Sequence, residues 1–228
     1  MSEWWTYRFA DLLLFAPRTY YRLFELYNEA VWPLHIASAA IGLAILALIV
    51  SRPKTAGRAV PLLLAVCWAW VAWAYLGTRY ATINWAATYF AYGFAVEALL
   101  LLLAGAAGLV KFTKPQLAPA GVGLFVFALL VQPLIGQLLG RGWSEIELFG
   151  LTPDPTVVAT LGVLIAADRP RFALMIVPLL WCAIGGATLW AMATPDAIVM
   201  PAAGLLAALL AGWKSFASGR APAGRERG

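Results

Sequence analysis

The chain has 228 residues, of which 63% are hydrophobic and only 12% charged, with a mean hydropathy of +0.81. Soluble domains average about 25% charged residues, so this composition excludes a water-coated globular domain and makes lipid the natural solvent. The net charge of +5 is no nucleic-acid signal, because the basic residues sit in short clusters between apolar runs and form no stripe.

Residues 1–30 lack the apolar core of a cleavable leader, since Arg8, Asp11, Arg18, Arg22, Glu25 and Glu29 interrupt them. Phe9, Leu12, Leu13, Leu23 and Phe24 alternate with those charges, among Trp4, Trp5, Tyr7, Tyr20, Tyr21 and Tyr27. Aromatic rings favour the headgroup level, so this pattern predicts an interfacial amphipathic helix over 5–30, broken at Pro17, on the outer face. The other reading is a partly inserted hydrophobic segment.

A spanning helix needs roughly 20 mostly apolar residues. Segments near 31–50, 59–77, 85–110, 117–140, 172–193 and 196–213 meet that need, and a shorter one near 153–167 is uncharged from Pro155 to Ala167. Breaks such as Arg52-Pro53-Lys54 and Asp168-Arg169-Pro170-Arg171 combine charge with proline, which stops an apolar helix. The expectation is an all-α, polytopic bundle of seven spans: an outer segment over 1–30, one transmembrane domain over 31–213 and a basic tail over 214–228. With seven spans, eleven of the 16 Lys and Arg residues fall on one side, Arg52, Lys54, Arg58 and Lys111 among them. The positive-inside rule makes that side cytoplasmic, with the N-terminus periplasmic and the C-terminus cytoplasmic.

Glu97 is the one ionisable residue deep inside a span, and such a residue turns toward protein or water. Either it carries a proton or a cationic substrate, or it is a protonated acid hydrogen-bonded to another helix. Gln132 is the expected partner: counting along the helices, the two lie roughly 20 Å and roughly 22 Å from the cytoplasmic ends of consecutive antiparallel spans. Gly93, Ala104 and Gly108 extend the Glu97 face as a small-residue stripe, and Gly204, Ala208 and Gly212 form another beside Ala203, Ala207 and Ala211. His35 is the only histidine, and Cys67 and Cys182 both lie in apolar runs. Together these argue against a bis-His haem, a disulfide framework and a transition-metal site, so no cofactor and no metal is expected.

Phe149 to Thr156 is the other candidate, with Asp154 between Pro153 and Pro155 and Asn84 of the Ile83-Asn84 loop expected nearby. It is either a re-entrant mouth or a simple loop with a helix cap. Thr152-Pro153-Asp154 and Thr194-Pro195-Asp196 each open an outer-side helix, a weak internal echo that good helix-start chemistry also explains.

The run Tyr27-Asn28-Glu29-Ala30-Val31-Trp32-Pro33, Ile83-Asn84, the segment 149–156, and Pro178-Leu179-Leu180-Trp181 with Ile184-Gly185-Gly186 resemble the bacterial multi-pass family termed domain of unknown function 6064. The resemblance covers about Tyr27 to Leu210, and implies a compact helical inner-membrane protein with Asn28, Asn84 and Asp154 in its shared motifs. Members of that family often carry a Cys between the two prolines and a His after the Tyr ending the second span. Asp154 and Leu76 stand there in this chain. No acid/base or nucleophile pair assembles at credible spacing. The expectation is a non-enzymatic bacterial inner-membrane protein, a subunit or scaffold in the lipid bilayer that docks a protein partner or a second copy. The alternative is a small permease or proton-coupled carrier using Glu97.

Overall fold

The computed structural model describes residues 15–113 and 118–219. Trp4, Trp5, Arg8, Leu12, Lys114, Arg220, Arg225 and Arg227 lie outside the described residues. Every described element is helical. Six stretches are long and apolar enough to cross a membrane: Leu34–Ser51, Ala56–Thr82, Ala87–Ala106, Ala118–Leu138, Phe172–Ala191 and Pro195–Ala217.

The first helix, α1 (Pro17–Val31), begins at Pro17. A proline suits that first position because its missing N–H would be unpaired there anyway. Tyr20, Leu23, Phe24, Tyr27 and Asn28 make its buried face, while Arg18, Arg22 and Glu29 point away from the bundle. Next come α2 (Leu34–Ser51), α3 (Ala56–Trp70) and α4 (Ala87–Ala106). α3 widens into a π-helical turn at Val71–Gly77. α5 (Ala118–Val126) does the same at Phe127–Val131 before α6 (Gln132–Leu138). Pro133 accounts for the second widening, since its ring displaces the carbonyl one turn earlier.

α7 (Pro153–Ala166) has 14 residues, and all of them are buried. At 1.5 Å per residue it is about 21 Å long, short of the ~30 Å hydrocarbon core. The short apolar segment of the sequence is therefore an enclosed central helix rather than a seventh of membrane length. α3, α5, α8 (Ile176–Ala191) and α9 (Val199–Gly219) surround it. Small residues permit that enclosure. A Cβ on Gly121 of α5 would stand 2.5 Å from the Gly162 carbonyl oxygen, and one on Gly162 would stand 2.6 Å from the Phe125 nitrogen. The expected small-residue stripes pack unevenly. Ala203, Ala207 and Ala211 are buried, whereas a Cβ on Gly93 or Gly212 would meet nothing within 4 Å.

The two ends of the bundle differ in charge. At the basic end, Arg52 Nη1 donates to the Thr113 carbonyl at 3.1 Å, and the Thr113 N–H and hydroxyl each donate to Asp168 at 2.7 Å. Lys214 lies within α9 and is buried, donating to the Ile165 carbonyl at 2.9 Å and to that of Ala167. A cation there complements the last carbonyls of α7. The opposite end gathers α1, the 139–152 connection and the start of the α9 span, and it holds Glu145, Glu147, Asp154 and Asp196.

Non-helical backbone enters the protein at 149–152, all four residues buried. Ser38 donates its hydroxyl to the Phe149 carbonyl, Gly150 N–H donates to Thr156 Oγ1 at 2.7 Å, and Tyr27 Oη donates to the Leu151 carbonyl at 3.0 Å. Such backbone is stable only where protein satisfies it, and here α1, α2 and α7 do. Gly150 sits at φ +73° with Cys67 Sγ 3.0 Å from where its Cβ would be, so only glycine fits.

Candidate functional site at the acidic end

Arg141 follows α6 and folds back over Gly136, where a Cβ would lie 2.4 Å from its Nε. Its Nη2 reaches Asp196 Oδ2 at 2.6 Å, its Nη1 lies 3.5 Å from Glu147 Oε1, and its guanidinium carbon sits 4.8 Å above the Tyr21 ring centroid. Nearby, Trp181 Nε1 donates to Asp154 Oδ1 at 2.7 Å. Two acids thus share one guanidinium in a poorly hydrated place, with Asp154 a third, held by Trp181, close enough to feel their charge. Ionising all three would leave two uncompensated negative charges, which low dielectric strongly disfavours. Burial raises the Glu147 carboxyl to about 8, the neighbouring Asp154 adds to the rise, and Arg141 opposes it. The longer contact belongs to Glu147, so Asp196 holds the ion pair and Glu147 keeps the proton.

A proton bound more tightly in the folded than in the unfolded chain stabilises at acid pH, and that contribution fades as pH rises from about 4.5 to about 8. The thermal midpoint in detergent is expected to fall across this window, and Glu147→Gln is expected to flatten the curve. An unchanged slope in the variant would assign the titration elsewhere.

Asn28 is a latch. Its Nδ2 donates to the carbonyls of Ser144 and Ile146, both at 2.8 Å, and its Oδ1 lies 3.4 Å from His35 Nε2. Asn84 caps its own turn, accepting from Ala86 N–H at 3.0 Å. Thr152 donates to the Leu148 carbonyl at 3.1 Å and leaves the α7 N-terminus without a side-chain cap.

Glu97 and Gln132 do not pair. Gln132 Nε2 donates to Met200 Sδ at 3.5 Å, and its oxygen has no partner among the described residues. Glu97 is 0% exposed, and neither of its oxygens has a described hydrogen-bond partner. Matching depth is not adjacency: α4 packs on α3, its π-helical continuation and α8, whereas α5 packs on α7 and α2. One turn before Glu97, Phe94 contacts Trp68 and Trp181, with ring centroids 4.3 Å and 5.0 Å away. A buried polar group without a partner costs roughly 1–3 kcal/mol. Glu97→Met is accordingly expected to raise the thermal midpoint, and a clear fall would reveal a partner bound to the carboxyl.

The sequence singled out Asp154 at this end, gave Asp196 only a place in a helix start, and pointed to no role for Arg141 or Glu147. The signal for Asp196 was the Thr-Pro-Asp echo, which brings both aspartates to one end. Trp181 lay in a motif whose purpose, donation to Asp154, is visible only in three dimensions. Among the described residues no group of three or more His, Cys, Asp or Glu is placed to hold a metal ion.

Six helices long and apolar enough to cross a membrane, with α7 enclosed among four of them, define a helical membrane protein. The chain belongs to the family of unknown function DUF6064, which it matches over residues 18–221. Neither a curated protein nor a solved structure matches it.

Proposed function

We propose that the chain is a non-enzymatic membrane subunit of the bacterial inner membrane, crossing it seven times and docking a partner protein at its acidic, periplasmic end. One observation carries this reading: α1 is a polar helix locked onto the bundle with its charges outward. Tyr27 and Asn28 fix it from below, and Arg22 pairs with Glu25 at 2.5 Å on its outer side. Between it and the neighbouring loops lies a cleft of about 670 Å³ lined by Arg18, Arg22, Glu25, Leu26 and Glu145. A mixed-charge cleft suits recognition, because a helix already ordered on the bundle costs little backbone freedom on binding and its charges select a complementary partner. Orientation rests on the positive-inside bias, and α7 makes the remaining crossing inside a protein sheath. The inner-membrane and bacterial placement rests on that bias and on the resemblance of the motifs.

A photo-crosslinking residue at Leu26 is expected to give one discrete protein adduct in cells, lost on Arg22→Glu. A reporter active only in the periplasm should work after Ser144 and fail after Gly228. Adducts to lipid alone would end the docking reading, and a silent Ser144 fusion would end the seven-crossing orientation.

A second reading is kept for Glu97, because both its oxygens are buried without a described partner, and its helix α4 packs elsewhere along its length on a π-helical turn, a distortion frequent at functional sites. In a proton-coupled carrier, purified protein in liposomes would drive pH-dependent solute uptake that Glu97→Gln abolishes without unfolding the chain. That outcome would displace the subunit reading.

A further inference from the structure

At the basic end, the turn between α2 and α3, the first turn of α3 and the connection after α4 enclose a cavity of about 530 Å³. Arg52, Lys54, Arg58 and Lys111 line it, and no carboxylate does. Asp168, which lines the adjoining cavity beside Lys111, is already engaged by the N–H and hydroxyl of Thr113. Among the described residues none of the four cations has an ion-pair partner. Four like charges gathered at one exposed rim create a positive potential that favours an anion there.

The cavity is also built rather than incidental. Gly57 lets the connection settle on α3, since a Cβ there would meet the Val110 carbonyl oxygen at 2.2 Å. Gly108, at φ +63°, lies under the Arg58 side chain, whose Nε would be 3.3 Å from its Cβ. Arg52, itself at φ 54°, ties the rim to Thr113. The rim is thus fixed by these close approaches, and its cations come from three segments. An adjoining cavity of about 470 Å³ shares Lys111 and Thr113 and adds Arg169 and Arg171.

We propose that this cavity binds the phosphate of an anionic phospholipid headgroup. A phosphate supplies several acceptor oxygens, which arginine and lysine donors satisfy in a fork-like geometry. A lipid is favoured over free phosphate by what adjoins the cavity in the chain: Val50, Leu103 and Leu109 are 62%, 55% and 47% exposed. These apolar side chains give acyl tails a surface while the headgroup enters the basic pocket. The inference rests on the membrane placement of the bundle and is independent of what docks at the acidic end.

The test uses the full-length protein in a neutral detergent, with native mass spectrometry and titration of dioleoyl phosphatidylglycerol, dioleoyl phosphatidylcholine and inorganic phosphate. Phosphatidylglycerol is expected to bind at least about tenfold more tightly than phosphatidylcholine, and millimolar inorganic phosphate is expected not to displace it. The double variant Arg58→Gln, Lys111→Gln is expected to bind phosphatidylglycerol about 30-fold more weakly, about fivefold per cation. Arg79→Gln, at the opposite end, is expected to bind as the parent does. Should the double variant not fold, Lys54→Gln alone is expected to weaken binding several-fold, while the charge-conserving Lys111→Arg retains it. Equal affinity for the two lipids, or parent-like binding by the neutralised variants, would overturn the site. Displacement by inorganic phosphate would keep the anion site and overturn the lipid as its occupant.

Discussion

Arg141→Met is expected to destabilise the protein in detergent by about 3–5 kcal/mol at pH 8, the usual cost of removing one partner from a buried ion pair. The guanidinium is the only described cation in contact with Glu147 and Asp196, and its side chain is 14% exposed. Methionine keeps an apolar stem but is shorter and gives up the guanidinium's contact with the Tyr21 ring, so the part of the loss that changes with pH is the part that reads charge. What remains is an acidic cluster without compensation, and its carboxyls can escape by taking up protons. The loss is therefore expected to be smaller at pH 5, where the Glu147 carboxyl, raised by burial, carries its proton and adds no charge to the cluster. Thermal unfolding at the two pH values measures the difference. A loss of equal size at both would mean that Arg141 acts by packing, and the charge account of the site would fail. Asp196→Asn combined with Arg141→Met should recover part of the stability at pH 8, since it removes the closest stranded charge.

Gly121→Val is expected to be at least as damaging. The atoms in the way are backbone: Ala166 N at 2.3 Å and the Gly162 carbonyl oxygen at 2.5 Å from the new Cβ. A flexible side chain can swing aside, but helix backbone moves only with its helix. Overpacking a core costs typically ~1–3 kcal/mol and more where the neighbour cannot relax. α5 would have to separate from α7 along its length, opening the enclosed helix to its surroundings. A monodisperse, folded peak on size exclusion is expected to vanish for Gly121→Val and to survive for Gly123→Val, whose Cβ meets nothing within 4 Å. Survival of both would mean the two helices sit farther apart than described.

These two expectations separate what was legible in the sequence from what was not. Helix number and helix ends were largely visible, because the apolar length of a segment and its charge-and-proline stops are local properties. A break at Pro17 and the basic character of one end both follow from residues read one segment at a time. The close approach of Gly121 to Gly162 was not visible, since a glycine in an apolar run looks the same whether a helix or lipid lies beside it. The stripe through Gly93 had the spacing of a packing face and makes no such contact.

Sequence alone determined that this chain belongs in lipid, that it is helical, where its helices stop and which end collects positive charge. Tertiary structure decided which helices are neighbours. It enclosed α7, turned Gln132 toward Met200 and away from Glu97, buried Lys214 against the end of α7, and gathered Arg141, Glu147, Asp154 and Asp196 from three separate stretches. The physical reason is that lipid-facing and protein-facing surfaces of a membrane helix are nearly equally apolar, so hydrophobic patterning cannot say which face meets protein. That choice is made by close packing and by the need to satisfy buried polar groups, and both depend on partners far away in the chain.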